Sequence, residues 1–248
     1  MLRWLPISLL LCFATAVHAS EPLWLREPAL SADGKQLLFT WQGRLFLSSA
    51  NGGNATALTG SDYQSHSPVW SPDGHTIAFA ANLYGNDDVY VMPARGGAMT
   101  RLTFDSGSDR PLAFGGDGKA VILSSQRPPL PRYDFYLPDT WNSATLYSAP
   151  LQGGHLTPYL PLPAQAIRQH GDQLLYQMPS ADQPWRKHQN SFAVSRIWLM
   201  QEERQQQLSE DRIAASDPWW SADGRQVVYL SERSGNFNVW QRDLASGK

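Results

Sequence analysis

Residues 68–103 read PVWSPDGHTIAFAANLYGNDDVYVMPARGGAMTRLT. Apolar residues lead into Asp73-Gly74, a pair that tolerates the positive φ of tight hairpins. An alternating stretch follows through Ile77 and Phe79, then Val89-Tyr90, a Gly96-Gly97 turn and a short segment ending Leu102-Thr103. Four short strands joined by tight turns are expected, and the same phrase recurs. Residues 28–34 read PALSADG, residues 218–224 read PWWSADG, and residues 111–118 read PLAFGGDG, one residue longer. A degenerate copy is His170-Gly171-Asp172. From Asp33 the Asp positions step by 40, 44, 55 and 51 residues, which suits one four-stranded blade per copy. The expected fold is all-β, a β-propeller of four-stranded antiparallel blades. About five repeats are seen, the last incomplete, with six expected in the full protein.

Each copy repeats four parts. The second strand alternates as Leu37/Phe39/Trp41, Ile77/Phe79, Val121/Leu123, Leu174/Tyr176 and Val227/Tyr229; period-2 alternation buries one sheet face. The third carries an aliphatic-aromatic pair: Leu45-Phe46, Val89-Tyr90, Leu146-Tyr147, Ile197-Trp198 and Val239-Trp240. Adjacent residues point to opposite faces, so both faces of a blade need bulk. Gly-Gly turns stand at 52–53, 96–97 and 153–154. The closing strands end Leu58-Thr59, Leu102-Thr103, Leu156-Thr157 and Leu208-Ser209. In the fourth copy the polar stretch Gln201 to Gln207 reads as a hairpin tip. The fifth stops at Lys248 before a closing strand, so residues 20–248 are expected to be a propeller truncated at its C-terminus.

Residues 1–19 read as a secretory signal: Arg3, an apolar run from Leu5 to Val17, and Val17-His18-Ala19 with a cut after Ala19. About 13 apolar residues are short of the roughly 20 that span a membrane, so no membrane association is expected after cleavage. Cys12, the only cysteine, leaves with the signal. Export without disulfides points to a periplasmic protein with a large core. The formal charge of −2 gives no basic footprint for nucleic acid.

Metal and cofactor sites are not expected. His66, His75, His155 and His170 are scattered over different blades without ligand spacing. Asn86-Asp87-Asp88 lacks the full calcium-loop pattern and reads as a turn. No serine lies in a G-x-S-x-G elbow, so no catalytic residue is assigned. Trp70 and Trp219-Trp220 read as packing between blades.

Two insertions stand out. The connection between strands two and three is short in copies one, two and five. It expands to SSQRPPLPRYDFYLPDTWN (124–142) and QMPSADQPWRKHQNSFAVS (177–195) in copies three and four. Hairpins alternate between rims, so both insertions belong to one rim on adjacent blades. Arg127, Arg132, Tyr133, Trp185, Arg186, Lys187 and His188 make a cationic, aromatic patch there. Three readings stay open: a peptide site or gate, a contact to another domain, and a solvated lid.

Residues 68–103 and PWWSADGRQVVYLSERSGNFNVWQRDLASG (218–247) resemble the repeats of TolB-type propellers, shared by TolB, prolyl-oligopeptidase-type peptidases and tricorn-type serine peptidases. Trp185-Arg186-Lys187-His188, followed by Ser191, Val194 and Arg196-Ile197-Trp198-Leu199, is similar to a W-R-K-H-H-x-S-x-x-x-x-x-I-W stretch of bacterial tricorn-like peptidases; Gln189 replaces the second His. PALSADGKQLLFTWQGRLFLSSANGG (28–53) resembles that family's first blade. The resemblance covers about Leu23 to Lys248. It implies an exported serine peptidase whose propeller admits or positions peptides or unfolded segments for downstream PDZ-like and peptidase domains, in a homo-oligomer. No catalytic motif of that core lies in this chain. A TolB-like periplasmic protein-binding module and a prolyl-oligopeptidase-type propeller are the competing expectations.

Overall fold

Alternating apolar residues between glycine turns leave the backbone one economical solution, antiparallel hairpins that pair each strand with the next. A computed structural model describes residues 24–127, 145–160, 164–179, 194–202, 204–221 and 223–247. They form five sheets in chain order. Blade 1 holds β1 (Arg26–Leu30), β2 (Gln36–Trp41), β3 (Arg44–Ser49) and β4 (Thr56–Ala57). Blade 2 holds β5 (Ser65–Trp70), β6 (Thr76–Ala81), β7 (Asp88–Pro93) and β8 (Thr100–Arg101). Blade 3 holds β9 (Asp109–Phe114), β10 (Ala120–Ser125), β11 (Thr145–Pro150) and β12 (Thr157–Pro158). Blade 4 holds β13 (Ala166–His170), β14 (Gln173–Met178), β15 (Arg196–Gln201) and β16 (Arg204–Gln207). Blade 5 holds β17 (Ala215–Trp220), β18 (Gln226–Ser231) and β19 (Asn238–Asp243).

The five expected repeats form five propeller blades, the last with three strands, and the blades face one another in a fixed sense. Ile77, Phe79 and Tyr90 of blade 2 pack against Leu38 and Leu45 of blade 1. Ala78, Val89 and Val91, on the opposite face, pack against Phe114, Val121 and Tyr147 of blade 3. Ile122 and Leu146 meet Ile167 and Tyr176 across the next boundary. Leu175 and Ile197 meet Val227 and Tyr229 across the last. In each third-strand pair the aliphatic residue therefore points to the following blade and the aromatic one to the preceding blade. The two outermost faces obey the same rule with no described neighbour. Phe46 stacks on Phe39 within blade 1 at 5.7 Å, and Val239 of blade 5 is 70% exposed.

The Ser-x-Asp-Gly turn is a hydrogen-bonded unit. The Ser71 hydroxyl donates to Asp73 Oδ1 (2.6 Å) and accepts from the Thr76 amide (2.9 Å), while the His75 amide donates to Asp73 Oδ1 (2.9 Å). Ser31/Asp33 and Ser221/Asp223 repeat it. Gly74, at φ 70°, closes the turn where a Cβ would be strained. The Leu-Thr ending is a second unit: the Leu45 and Val89 amides donate to the Thr59 and Thr103 hydroxyls, both at 2.9 Å.

Three local expectations are corrected. The third copy's phrase is not longer in space. Ala113 pairs with Ile122 as Ala29 pairs with Leu38, so its proline has moved one position earlier without an insertion. The closing pair of blade 3 is Tyr159-Leu160, not Leu156-Thr157. The Tyr159 amide donates to Leu146 O as the Leu58 amide does to Leu45 O, and Pro158 lies opposite Tyr147 as Ala57 lies opposite Phe46. In blade 4, Arg204–Gln207 is the fourth strand itself, paired to β15, and the tip lies at Glu202.

Thr103→Val removes the acceptor of a buried amide and is expected to cost about 1–3 kcal/mol in urea unfolding. Thr157→Val, at an exposed position outside the motif, should change stability by no more than about 0.5 kcal/mol. Equal costs would contradict the register.

Candidate functional site

Inner strands β1, β5, β9, β13 and β17 line a cavity of about 1520 Å³ that draws residues from all five blades and runs onto the Val228, Leu230 and Val239 face of blade 5. Three of these strands carry a bulge at the same place. Glu27, Ser67 and Asp217 stand immediately before Pro28, Pro68 and Pro218 at φ 51°, 54° and 52°, each beside a one-residue register shift. A bulge re-aims the side chain it carries, and these three polar residues line the channel. In blade 3 the position belongs to Pro111, whose ring forbids positive φ; the register shift there falls between the partners of Ile122 and Leu123.

Glu27 is the hub of a clasp across three blades. Its Oε2 accepts from the Ser67 amide at 2.6 Å and the Thr40 hydroxyl at 3.2 Å. Its Oε1 accepts from the Ser67 hydroxyl at 3.1 Å and Arg110 Nη2 at 2.9 Å. Burial pushes the Glu27 carboxyl up, but the Ser67 amide, Arg110, His66 and the Ser67 hydroxyl together hold it below the ordinary glutamate value. His66 lies between Asp87, at 3.1 Å from Nε2, and Ser67 Oγ, at 2.9 Å from Nδ1. The distances are those of an Asp-His-Ser relay, yet Ser67 is 7% exposed and its hydroxyl donates to Glu27. The arrangement ties strands together and presents no free nucleophile.

Trp70 and Trp220 bear out the expected packing role. Their indole N–H groups donate to Ala29 O and Arg168 O of the preceding blade, at 2.9 and 3.0 Å. Trp219 departs from it: 40% exposed, it lines the channel and stacks over the Arg168 guanidinium at 4.1 Å. Among the described residues no cluster of three or more His, Cys, Asp or Glu side chains is placed to hold a metal ion.

Of the residues singled out in the two insertions, Arg127 is described and the other six are not. Arg127 Nε donates to Ser125 Oγ at 2.7 Å and Nη2 to the fully buried Asp109 at 2.8 Å, with Tyr147 beneath at 4.9 Å. It clamps the base of the first insertion to blade 3. Arg132, Tyr133, Trp185, Arg186, Lys187 and His188 lie outside the described residues. The channel residues were missed because single polar residues in strands carry little signal. A recurrent polar residue before the proline of each phrase would have found Glu27, Ser67 and Asp217.

These blades, with a channel lined by their first strands, define the chain as a β-propeller. Residues 22–248 match the tricorn protease N-terminal β-propeller domain, and the chain belongs to that family. Tricorn protease homolog 1 of Streptomyces coelicolor is 27% identical over 235 residues, 92% of this chain and 20% of that protein. The crystal structure of the tricorn protease matches with a TM-score of 0.72 at 18% identity, over 90% of this chain and 22% of that one. The putative TolB from Agrobacterium tumefaciens matches with a TM-score of 0.68 at 17% identity, over 91% and 79%. The two structural likenesses are of fold. The chain spans about one fifth of the length of the curated relatives it matches.

A lowered carboxyl pKa adds stability above the unfolded value, about 4.3 for glutamate, and that stability is lost as pH falls through the folded value. Glu27→Gln should therefore destabilise the propeller most at neutral pH, with the gap to wild type closing below about pH 4. Asp88 and Asp109, pushed up by burial, act in the opposite sense in both proteins, so the difference isolates Glu27. A gap that stays constant down to about pH 3 would contradict the clasp.

Proposed function

We propose that this chain is the propeller of an exported tricorn-like serine peptidase, and that its channel admits or positions peptide segments for a catalytic domain elsewhere in the protein. The observation that carries the reading is the family match along residues 22–248 combined with a cavity of mixed polar and apolar lining to which all five inner strands contribute. Extended peptides offer alternating amides and carbonyls. A wall of re-aimed Glu, Ser, Asp and Arg side chains among apolar strand residues suits such a ligand better than a purely apolar cavity would.

In this reading residues 1–19 direct export and are cut after Ala19, the mature protein works in the periplasm, and PDZ-like and peptidase domains follow in a homo-oligomer. A sixth blade fills the space between the Phe39/Phe46 face of blade 1 and the Val239 face of blade 5. Arg186, Lys187 and His188, which lie outside the described residues, are assigned in this reading to peptide binding or gating.

The test uses the 248-residue chain alone. Labelled oligopeptides are expected to bind saturably in fluorescence anisotropy, and labelled casein to remain intact. Turnover abolished by a serine-directed inhibitor would overturn the division of labour. Failure to bind any member of an oligopeptide library would overturn the channel's role.

A further inference from the structure

The inner strands are equivalent position by position, and one position breaks their pattern. Ala29, Val69 and Ala113 occupy the site opposite Leu38, Ala78 and Ile122; in blade 4, opposite Leu175, stands Arg168. In blade 5 the position, opposite Val228, holds Trp219. An arginine placed where its counterparts are Ala29, Val69, Ala113 and Trp219 carries a desolvation cost that a carboxylate partner ordinarily offsets. Arg168 has no carboxylate within ion-pair distance among the described residues. Its Nε is buried without a hydrogen-bond partner. Its Nη1 reaches only backbone carbonyls, Ile167 O at 2.8 Å and Leu112 O at 3.4 Å. Burial lowers its pKa to about 10, with Asp217 pulling the other way, so it is charged at neutral pH.

The surroundings keep this charge ready for a ligand. Trp219 stacks over the guanidinium, with its ring centroid 4.1 Å from Cζ. The other arginine lining the channel, Arg110, is already paired with Glu27 at 2.9 Å. Asp217, the nearest acid, accepts from the Ser216 hydroxyl at 2.8 Å, and its amide donates to Gln177 Oε1 at 2.9 Å. Arg168 is thus a cation in the channel wall whose planar fork suits a carboxylate.

Resting on the reading of the channel as a peptide path, we propose that Arg168, braced by Trp219, is a carboxylate-binding site that makes the channel select peptides bearing a free C-terminus or an acidic side chain. The class of ligand is therefore the anionic oligopeptide.

The experiment measures binding of matched N-acetylated peptides to the full chain. One neutral sequence is prepared as free acid and as C-terminal amide, and an amidated sequence is prepared with Glu or with Gln at one position. The carboxylate-bearing member of at least one pair is expected to bind about tenfold more tightly, the size of one charge-assisted hydrogen bond. The pair that responds identifies a C-terminus or a side chain as the source. Arg168→Met should erase the preference, and Arg168→Lys should retain part of it. Equal affinity within both pairs, or a preference that survives Arg168→Met, overturns the proposal while leaving the peptide path intact. No binding by any peptide overturns the path and the proposal with it. Should Arg168→Met not fold, the wild-type pairs and Arg168→Lys decide.

Discussion

Every blade has two apolar faces, and a sheet of three or four short strands cannot cover either of them alone. Fully burying one Val, Leu or Phe side chain contributes about 1.5–3 kcal/mol, and that gain comes here only from the neighbouring blade. The third strands make the dependence directional: Val89, Leu146 and Ile197 point forward, Tyr90, Tyr147 and Trp198 point back. Aliphatic and aromatic surfaces therefore meet at each boundary. The inner strands then crowd toward one axis, which is what creates the channel.

Crowding at the axis also explains the polar chemistry. Strands that converge need their first residues fastened across blades. The Ser65, Asp109 and Ala215 amides do this by donating to Gly43, Asp87 and Ser195 carbonyls of the preceding blade, at 2.7, 2.7 and 3.0 Å. The bulges at Glu27 and Ser67 add side chains to the same task, and at Asp217 the backbone amide donates to Gln177 Oε1 of blade 4 at 2.9 Å. Glu27 is fully engaged by Ser67, Thr40 and Arg110. Arg168 is the member of this wall whose partners within the protein do not account for its charge. Structure and recognition divide between these two residues.

Much of the architecture was legible because repetition exposes it. The Asp-Gly turns, the alternating second strands and the aliphatic-aromatic pairs recur, and each recurs for a backbone or burial reason that acts locally. What failed was register in blade 3. Leu156-Thr157 resembles Leu102-Thr103, but pairing depends on Tyr147 opposite Pro158, a non-local fact. The shifted proline at Pro111 likewise reads as an insertion in one dimension and as a displaced bulge in three. The channel escaped notice because its residues are distant in sequence and single within their strands. Arg127, singled out as part of a cationic rim, proves to be held by buried Asp109, a partner that its own segment does not contain.

The dependence of each blade on its neighbours can be measured directly by native-state hydrogen exchange on the 248-residue chain. The second strands β6, β10 and β14, packed on both faces, should open only with global unfolding. β2 and β18, each with one face lacking a described neighbour, should exchange through lower-energy local opening. Protection in β2 and β18 equal to that of β10 would show that blades are stable on their own and would contradict the account.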